Sequence, residues 1–145
     1  MSAHIARRYY VRGLDELRRN ELDDAVQDLQ GAIQLFPTFF EARIAYATAL
    51  LRLKDPPRAT QILRAGLHYH GPGAARAALC RALGDALVSA GDFPAAEQAF
   101  AESRASSAQD SADLHDRVAR LRARTGRFDE AFTELLAAAR LSRTE

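Results

Sequence analysis

Four short stretches punctuate this chain at nearly equal intervals, and their spacing limits its fold more than any other feature. They are Asn20-Glu21-Leu22-Asp23-Asp24-Ala25, Lys54-Asp55-Pro56-Pro57-Arg58-Ala59, Gly91-Asp92-Phe93-Pro94-Ala95-Ala96 and Gly126-Arg127-Phe128-Asp129-Glu130-Ala131. The closing alanines are separated by 34, 37 and 35 residues. A recurrence of this length marks stacked supersecondary units, none of which can bury its apolar face alone. The third stretch shows what the unit boundary does. Gly91 suits the left-handed end of one helix, Asp92 can cap the next, and Pro94 falls in a first turn where a missing N–H costs nothing.

The segments between these corners read as helices. Ile5, Tyr9, Gly13 and Leu17 recur every fourth residue, and a second stripe runs through Leu22, Ala25, Leu29, Ala32, Ile33 and Leu35 to a stop at Pro37. Ala42, Tyr46, Ala47, Leu50 and Leu53 repeat the pattern, as do Ala59, Ile62, Leu63, Gly66 and Leu67 before the Gly71-Pro72-Gly73 break. Two more pairs are expected over about 74–105 and 111–141, joined by a polar linker at 103–111. The apolar content is mainly alanine and leucine, which favours helix over strand. Eight helices leave no room for a sheet.

Charge excludes several roles. The formal net charge is only +1, without the basic excess that nucleic-acid binding usually leaves. Lys54 is the single lysine, a bias that a GC-rich genome would produce. Cys80 is the single cysteine, so no internal disulfide can form. No apolar run serves as a signal peptide or reaches the ~20 residues of a membrane span. A cytoplasmic location is the expectation.

Units set at 6–39, 40–73, 77–110 and 112–145 bring equivalent residues into register. Gly13, Ala47, Gly84 and Ala119 are the small residues of the first helices; Ala25, Ala59, Ala96 and Ala131 follow twelve positions later. Then come Leu29, Leu63, Phe100 and Leu135, and small residues again at Ala32, Gly66, Ser103 and Ala138. Small residues allow close helix approach, and the large one fills the gap to the next unit. This pattern resembles the tetratricopeptide repeat along essentially the whole chain. Tyr9, Arg43, Cys80 and His115 stand where that family often has tryptophan, and Lys54 replaces the usual corner glycine. The resemblance implies an all-α fold: a right-handed α-solenoid of four antiparallel helix pairs, forming a single domain over 1–145.

It also implies a concave groove lined by the first helix of each pair. By register its residues are Arg7, Tyr10, Leu14 and Arg18; Glu41, Ile44, Thr48 and Arg52; Ala78, Arg81, Asp85 and Ser89; and Asp113, Asp116, Arg120 and Arg124. Arg18, Arg52 and Arg124 share one register, and Tyr10, Leu14 and Ile44 form an apolar patch. Together they suit a peptide with a hydrophobic anchor and a carboxylate, which arginine can hold with two bonds. The competing account is a solvated face on which Arg81–Asp85, Asp113–Arg117 and Asp116–Arg120 are i,i+4 pairs worth about 0.2–0.5 kcal/mol each. Tyr10, Leu14, Ala45, Ala78 and Ala82 occupy the places where a heat-shock-chaperone carboxylate clamp carries lysine and asparagine, so that clamp is not expected.

Catalysis finds no constellation. The carboxylates read as scattered over exposed helices, and no phosphate loop, zinc spacing or nucleophile motif is present. His68-x-His70 has no third ligand nearby in sequence, and Cys80 falls at a core register. No cofactor or metal is expected. The aromatic loop Phe36-Pro37-Thr38-Phe39-Phe40 either seals the first two units or forms a contact patch. Phe132, Ala139 and Leu141 are expected to be exposed on the last helix, where a homotypic or partner contact could form. The chain therefore reads as a non-enzymatic adaptor or scaffold binding a peptide or helix of a partner protein. The alternatives are a dedicated chaperone, as in small bacterial secretion chaperones built on such repeats, and a structural protein that self-assembles through its C-terminal edge.

Overall fold

The corners do separate helices. The computed structural model describes residues 2–144; Met1 and Glu145, which bound the expected domain and fourth repeat, lie outside the described residues. The described chain is eight helices: α1 (Ser2–Arg18), α2 (Leu22–Leu35), α3 (Phe40–Arg52), α4 (Pro56–Leu67), α5 (Ala74–Ala90), α6 (Phe93–Ser106), α7 (Ala112–Arg124) and α8 (Phe128–Thr144). No strand occurs among the described residues. They form two compact units, Met1–Gly71 and Pro72–Glu145.

Side chains at the corners stop and start the helices as their chemistry dictates. Asn20 and Lys54 turn with φ of 59° and 64°, and Gly91 and Gly126 with φ of 82°. Asp55, Asp92 and Ser111 each accept a backbone N–H three residues on, from Arg58, Ala95 and Leu114. These bonds satisfy donors that a helix start leaves without a partner. The second helix begins at Leu22, and Asp23 and Asp24 lie within its first turn, where they meet the positive end of the helix dipole.

In the first unit, Gly13 lets α1 and α2 close until a Cβ there would lie 2.7 Å from Leu29 Cγ. Ala25, Leu29, Ala32, Ala42, Tyr46, Leu50, Ala59 and Leu63 make its core. Arg43, at the place where the family often has tryptophan, is buried. Its guanidinium donates to the carbonyls of Pro37 at 3.1 and 3.0 Å and Ile62 at 3.2 Å, and lies over the Tyr69 ring. In the second unit Gly84 takes the role of Gly13, against the ring of Phe100. Leu79, Cys80, Leu83, Leu87, Ala96, Phe100, Leu114, Val118 and Leu121 fill that core. Burial pushes the Cys80 thiol up to about 11, with Glu102 adding to the shift, so the sulfur is an inert packing atom.

Candidate protein-interaction site

In the first unit, the start of α1 and the loop before α3 enclose a cleft of about 470 Å³. Its walls are Ala3, His4 and Arg7 of α1, Phe36, Thr38 and Phe39 of the loop, Phe40 and Glu41 of α3, and His70. The loop is packed through tilted aromatic contacts: Tyr10 meets Phe39 at 4.8 Å between centroids, and Phe39 meets Phe36 at 6.0 Å. His70 stands edge-on to Phe40 and lies 3.2 Å from the Thr38 carbonyl, which engages one member of the His68-x-His70 pair. Arg7 is exposed at the rim and has no side-chain partner among the described residues.

The other expected groove residues of this unit are more occupied than their register suggests. Tyr10 is half-buried against Phe39, and burial and the charge of Glu41 raise its hydroxyl pKa. Leu14 and Ile44 are half-buried, and the Thr48 hydroxyl donates to the Ile44 carbonyl of its own helix. Arg52 donates to the Leu17 carbonyl at 2.9 Å, tying α3 to the end of α1. Arg18 pairs with Asp15 at 3.3 Å. Arg124, in the second unit, stacks over Phe93 at 5.1 Å. The three arginines of one register are thus each engaged locally.

The equivalent face of the second unit neutralises itself. Arg81 and Asp85 do not pair along their helix as expected. Arg81 reaches Asp113 at 3.4 Å and Asp85 receives Arg117 at 3.0 Å, so both cross from α5 to α7. Asp113–Arg117 and Asp116–Arg120 do pair along α7. Ala78 is half-buried and Ser89 exposed.

Nor are the carboxylates all scattered on exposed surfaces. Glu134 is buried beneath α8, where its Oε2 accepts from His115 Nδ1 and from Arg104 Nη2 at 3.2 Å, and its Oε1 accepts from Arg122 at 2.8 Å. His115 Nε2 lies 2.8 Å from Asp110 Oδ1, but out of line for a hydrogen bond, so that contact is one of charge. Burial alone would lower the His115 pKa; Asp110 and Glu134 outweigh it and raise it. Burial would raise Glu134, yet His115 and Arg104 hold it below the usual range. In the first unit Asp28 is buried and receives both Arg12 nitrogens, at 2.7 and 2.6 Å. Glu16 beside it is pushed up to about 7, by burial first and then by Asp28 and Asp24, against a lowering from Arg12. These are structural networks that tie helices together. Asp28 and Glu134 occupy the same place in their repeats, immediately before Leu29 and Leu135, and this shared register was the available signal.

The last helix presents a wider apolar stripe than expected. Phe128, Phe132, Leu135 and Leu136 are 69%, 63%, 47% and 43% exposed. Ala139 is exposed with them, whereas Leu141 is half-buried on another side of the helix. Phe128, Leu135 and Leu136 thus join Phe132 and Ala139, and Leu141 leaves the set.

Helix pairs closed by small residues, with an aromatic cleft and an apolar flank and no assembled catalytic group among the described residues, define a helical-repeat protein. Two family models, both described as tetratricopeptide repeat, match residues 16–83 and 81–145. The chain belongs to the tetratricopeptide repeat family. Solved structures agree on the fold. MamA of Desulfovibrio magneticus RS-1 is 17% identical with a TM-score of 0.79, over 97% of this chain and 77% of that one. The thermophilic protein TTC0263 of Thermus thermophilus is 17% identical with a TM-score of 0.80, over 90% and 70%. A chain of the Cut9–Hcn1 hetero-tetramer is 16% identical with a TM-score of 0.83, over 95% of this chain and 26% of that one. No curated protein sequence matches the chain. The fold class is accordingly the tetratricopeptide α-solenoid. No helix of the described residues is long and apolar enough to cross a membrane.

Proposed function

We propose that this chain is a non-catalytic adaptor whose first unit captures an extended segment of a partner protein bearing an apolar side chain next to a carboxylate. The observation that carries this reading is the free Arg7 guanidinium at the rim of the Phe36–Phe39–Phe40 cleft. The aromatic walls offer an apolar anchor a seat, and a guanidinium without a partner among the described residues can grip a carboxylate with two hydrogen bonds. Glu41 on the opposite wall favours a neutral or basic residue beyond the anchor. The second unit's equivalent face is less suited, because its arginines already hold Asp85, Asp113 and Asp116.

The test is selection from a random displayed-peptide library against the chain, followed by affinity measurement on the enriched peptides. Enriched peptides should carry Asp or Glu beside Phe, Leu or Tyr. Arg7→Glu should weaken them about tenfold or more, or ~1.4 kcal/mol, and Phe36→Ala similarly. Arg120→Glu, in the self-neutralised face, should leave affinity unchanged. No enrichment, or equal binding by Arg7→Glu, would overturn the reading. Tyr10 and Arg52 make poorer probes, since Tyr10 supports Phe39 and Arg52 holds the Leu17 carbonyl.

A further inference from the structure

The exposed stripe on α8 has a regular geometry. Phe128, Phe132, Leu135 and Ala139 follow one another at intervals of four, three and four residues, the spacing of a two-helix seam. At 100° per residue these side chains lie within about 60° of one another, with Leu136 along one margin. On the side of the helix past Leu135, Ala131 and Glu134 are buried. A single-sided apolar stripe on an otherwise packed helix is suited to receive one further helix.

The charges on its margin select which helix. The margin that holds Leu136 carries Asp129 near the helix start and Arg140 and Arg143 near its end, all exposed. Among the described residues, none of these three side chains has a hydrogen-bond or ion-pair partner. Acidic at one end and basic at the other, this edge complements itself when turned end for end. A second copy of α8, antiparallel and centred between Leu135 and Leu136, would set Phe132 against Ala139, Leu135 against Leu136 and Asp129 within one residue of Arg143, twice by symmetry. A parallel pairing would instead set Asp129 against Asp129. A head-to-tail stack of α8 on the outer face of α1 in the next copy would bring Arg140 and Arg143 toward Arg7 and Arg8, a like-charge contact. The closed two-fold arrangement therefore has the better electrostatics.

We infer that α8 is an isologous dimerisation surface, on which two copies of this chain pair antiparallel through Phe128, Phe132, Leu135 and Leu136 with Asp129 beside Arg143. The inference does not depend on the cleft of the first unit. One helix face covers less than the ~800 Å² that each partner of a standard interface contributes, so the dimer should be in dynamic exchange with monomer.

Sedimentation equilibrium of the full chain, over concentrations from about one to several hundred micromolar, tests it. A monomer–dimer equilibrium with no larger species is expected. Phe132→Glu, at a position already 63% exposed, should raise the dissociation constant about 30-fold or more while leaving the thermal melt of the monomer intact. The second arm is charge exchange. Asp129→Arg alone and Arg140→Asp/Arg143→Asp alone should each dissociate, because each makes both ends alike in sign. Mixed in equal amounts, the two variants should pair with each other. A chain that stays monomeric throughout, one that builds polymers, or variants that fail to pair on mixing would each overturn the inference.

Discussion

At two glycines of this molecule, helix approach is decided by a single hydrogen atom. At Gly84, a Cβ would lie 2.3 Å from Cε1 of Phe100, inside a ring that is itself fully buried and cannot swing away. Gly84→Ala should therefore destabilise the second unit by about 1–3 kcal/mol, the usual cost of overpacking a core. Gly31 provides the contrast. A Cβ there would meet the Tyr9 ring at 3.5 Å, an ordinary contact, within the helical backbone of α2. Gly31→Ala should stabilise by about 0.5–1 kcal/mol through helix propensity alone. Thermal denaturation of both variants checks the pair, and equal shifts would refute the packing argument. The sequence distinguishes these glycines, because Gly84 falls at the small-residue register and Gly31 does not.

At the level of elements, the helix corners were legible and the polar cross-ties were not. Corner chemistry is local: Asn20, Gly91 and Gly126 suit a left-handed turn, and Asp55, Asp92 and Ser111 lie within three residues of the N–H groups they cap. Lys54 is the exception, a residue without asparagine's tolerance of the left-handed region at φ 64° where the other repeats have glycine or asparagine. Lys54→Gly should stabilise the first unit by about 1 kcal/mol, the left-handed penalty it removes, visible as a higher denaturant midpoint with an unchanged slope. A lower midpoint would show that the lysine's backbone cost is offset elsewhere. The ties among Arg104, His115, Arg122 and Glu134 join α6, α7 and α8 over 11–30 residues of sequence, and charge patterning within one helix cannot reveal them. The same limit explains the misread Arg81 and Asp85, for which partners on α7 outcompete the neighbour one turn away. The cleft was half legible. Arg7, Glu41 and the Phe36–Phe40 loop each stood out, but that the loop folds against the start of α1 rather than merely sealing a junction depends on the Tyr10–Phe39 stack.

Across the whole molecule, the titrating groups of both units shift stability in the same direction around neutrality. Glu16, in the first unit, has its folded pKa raised to about 7 from an ordinary value near 4.3. Such a group favours the folded state below its unfolded pKa, and that contribution fades as pH rises through about 7. His115, in the second unit, is raised by Asp110 and Glu134 despite the opposing effect of burial. Its contribution is complete below its ordinary value of about 6.5 and is lost as pH climbs through the higher folded value. Asp28, Asp110 and Glu134 are lowered by their cationic or imidazole partners. Their contribution is present above about pH 4 and lost as pH falls through their folded values. The sum places maximum stability on the acid side of neutrality, near pH 5. Thermal melts from pH 3 to pH 9 should rise to that maximum and decline toward pH 8. Glu16→Gln should raise stability at pH 8, where the wild-type carboxylate is ionised against Asp28, and change it little at pH 5. His115→Gln should act oppositely, costing most at pH 5, where the imidazolium and Glu134 are both charged. A wild-type profile that is flat from pH 5 to 8, or a Glu16→Gln variant with an unaltered decline, would show that neither buried carboxyl cluster is set as described.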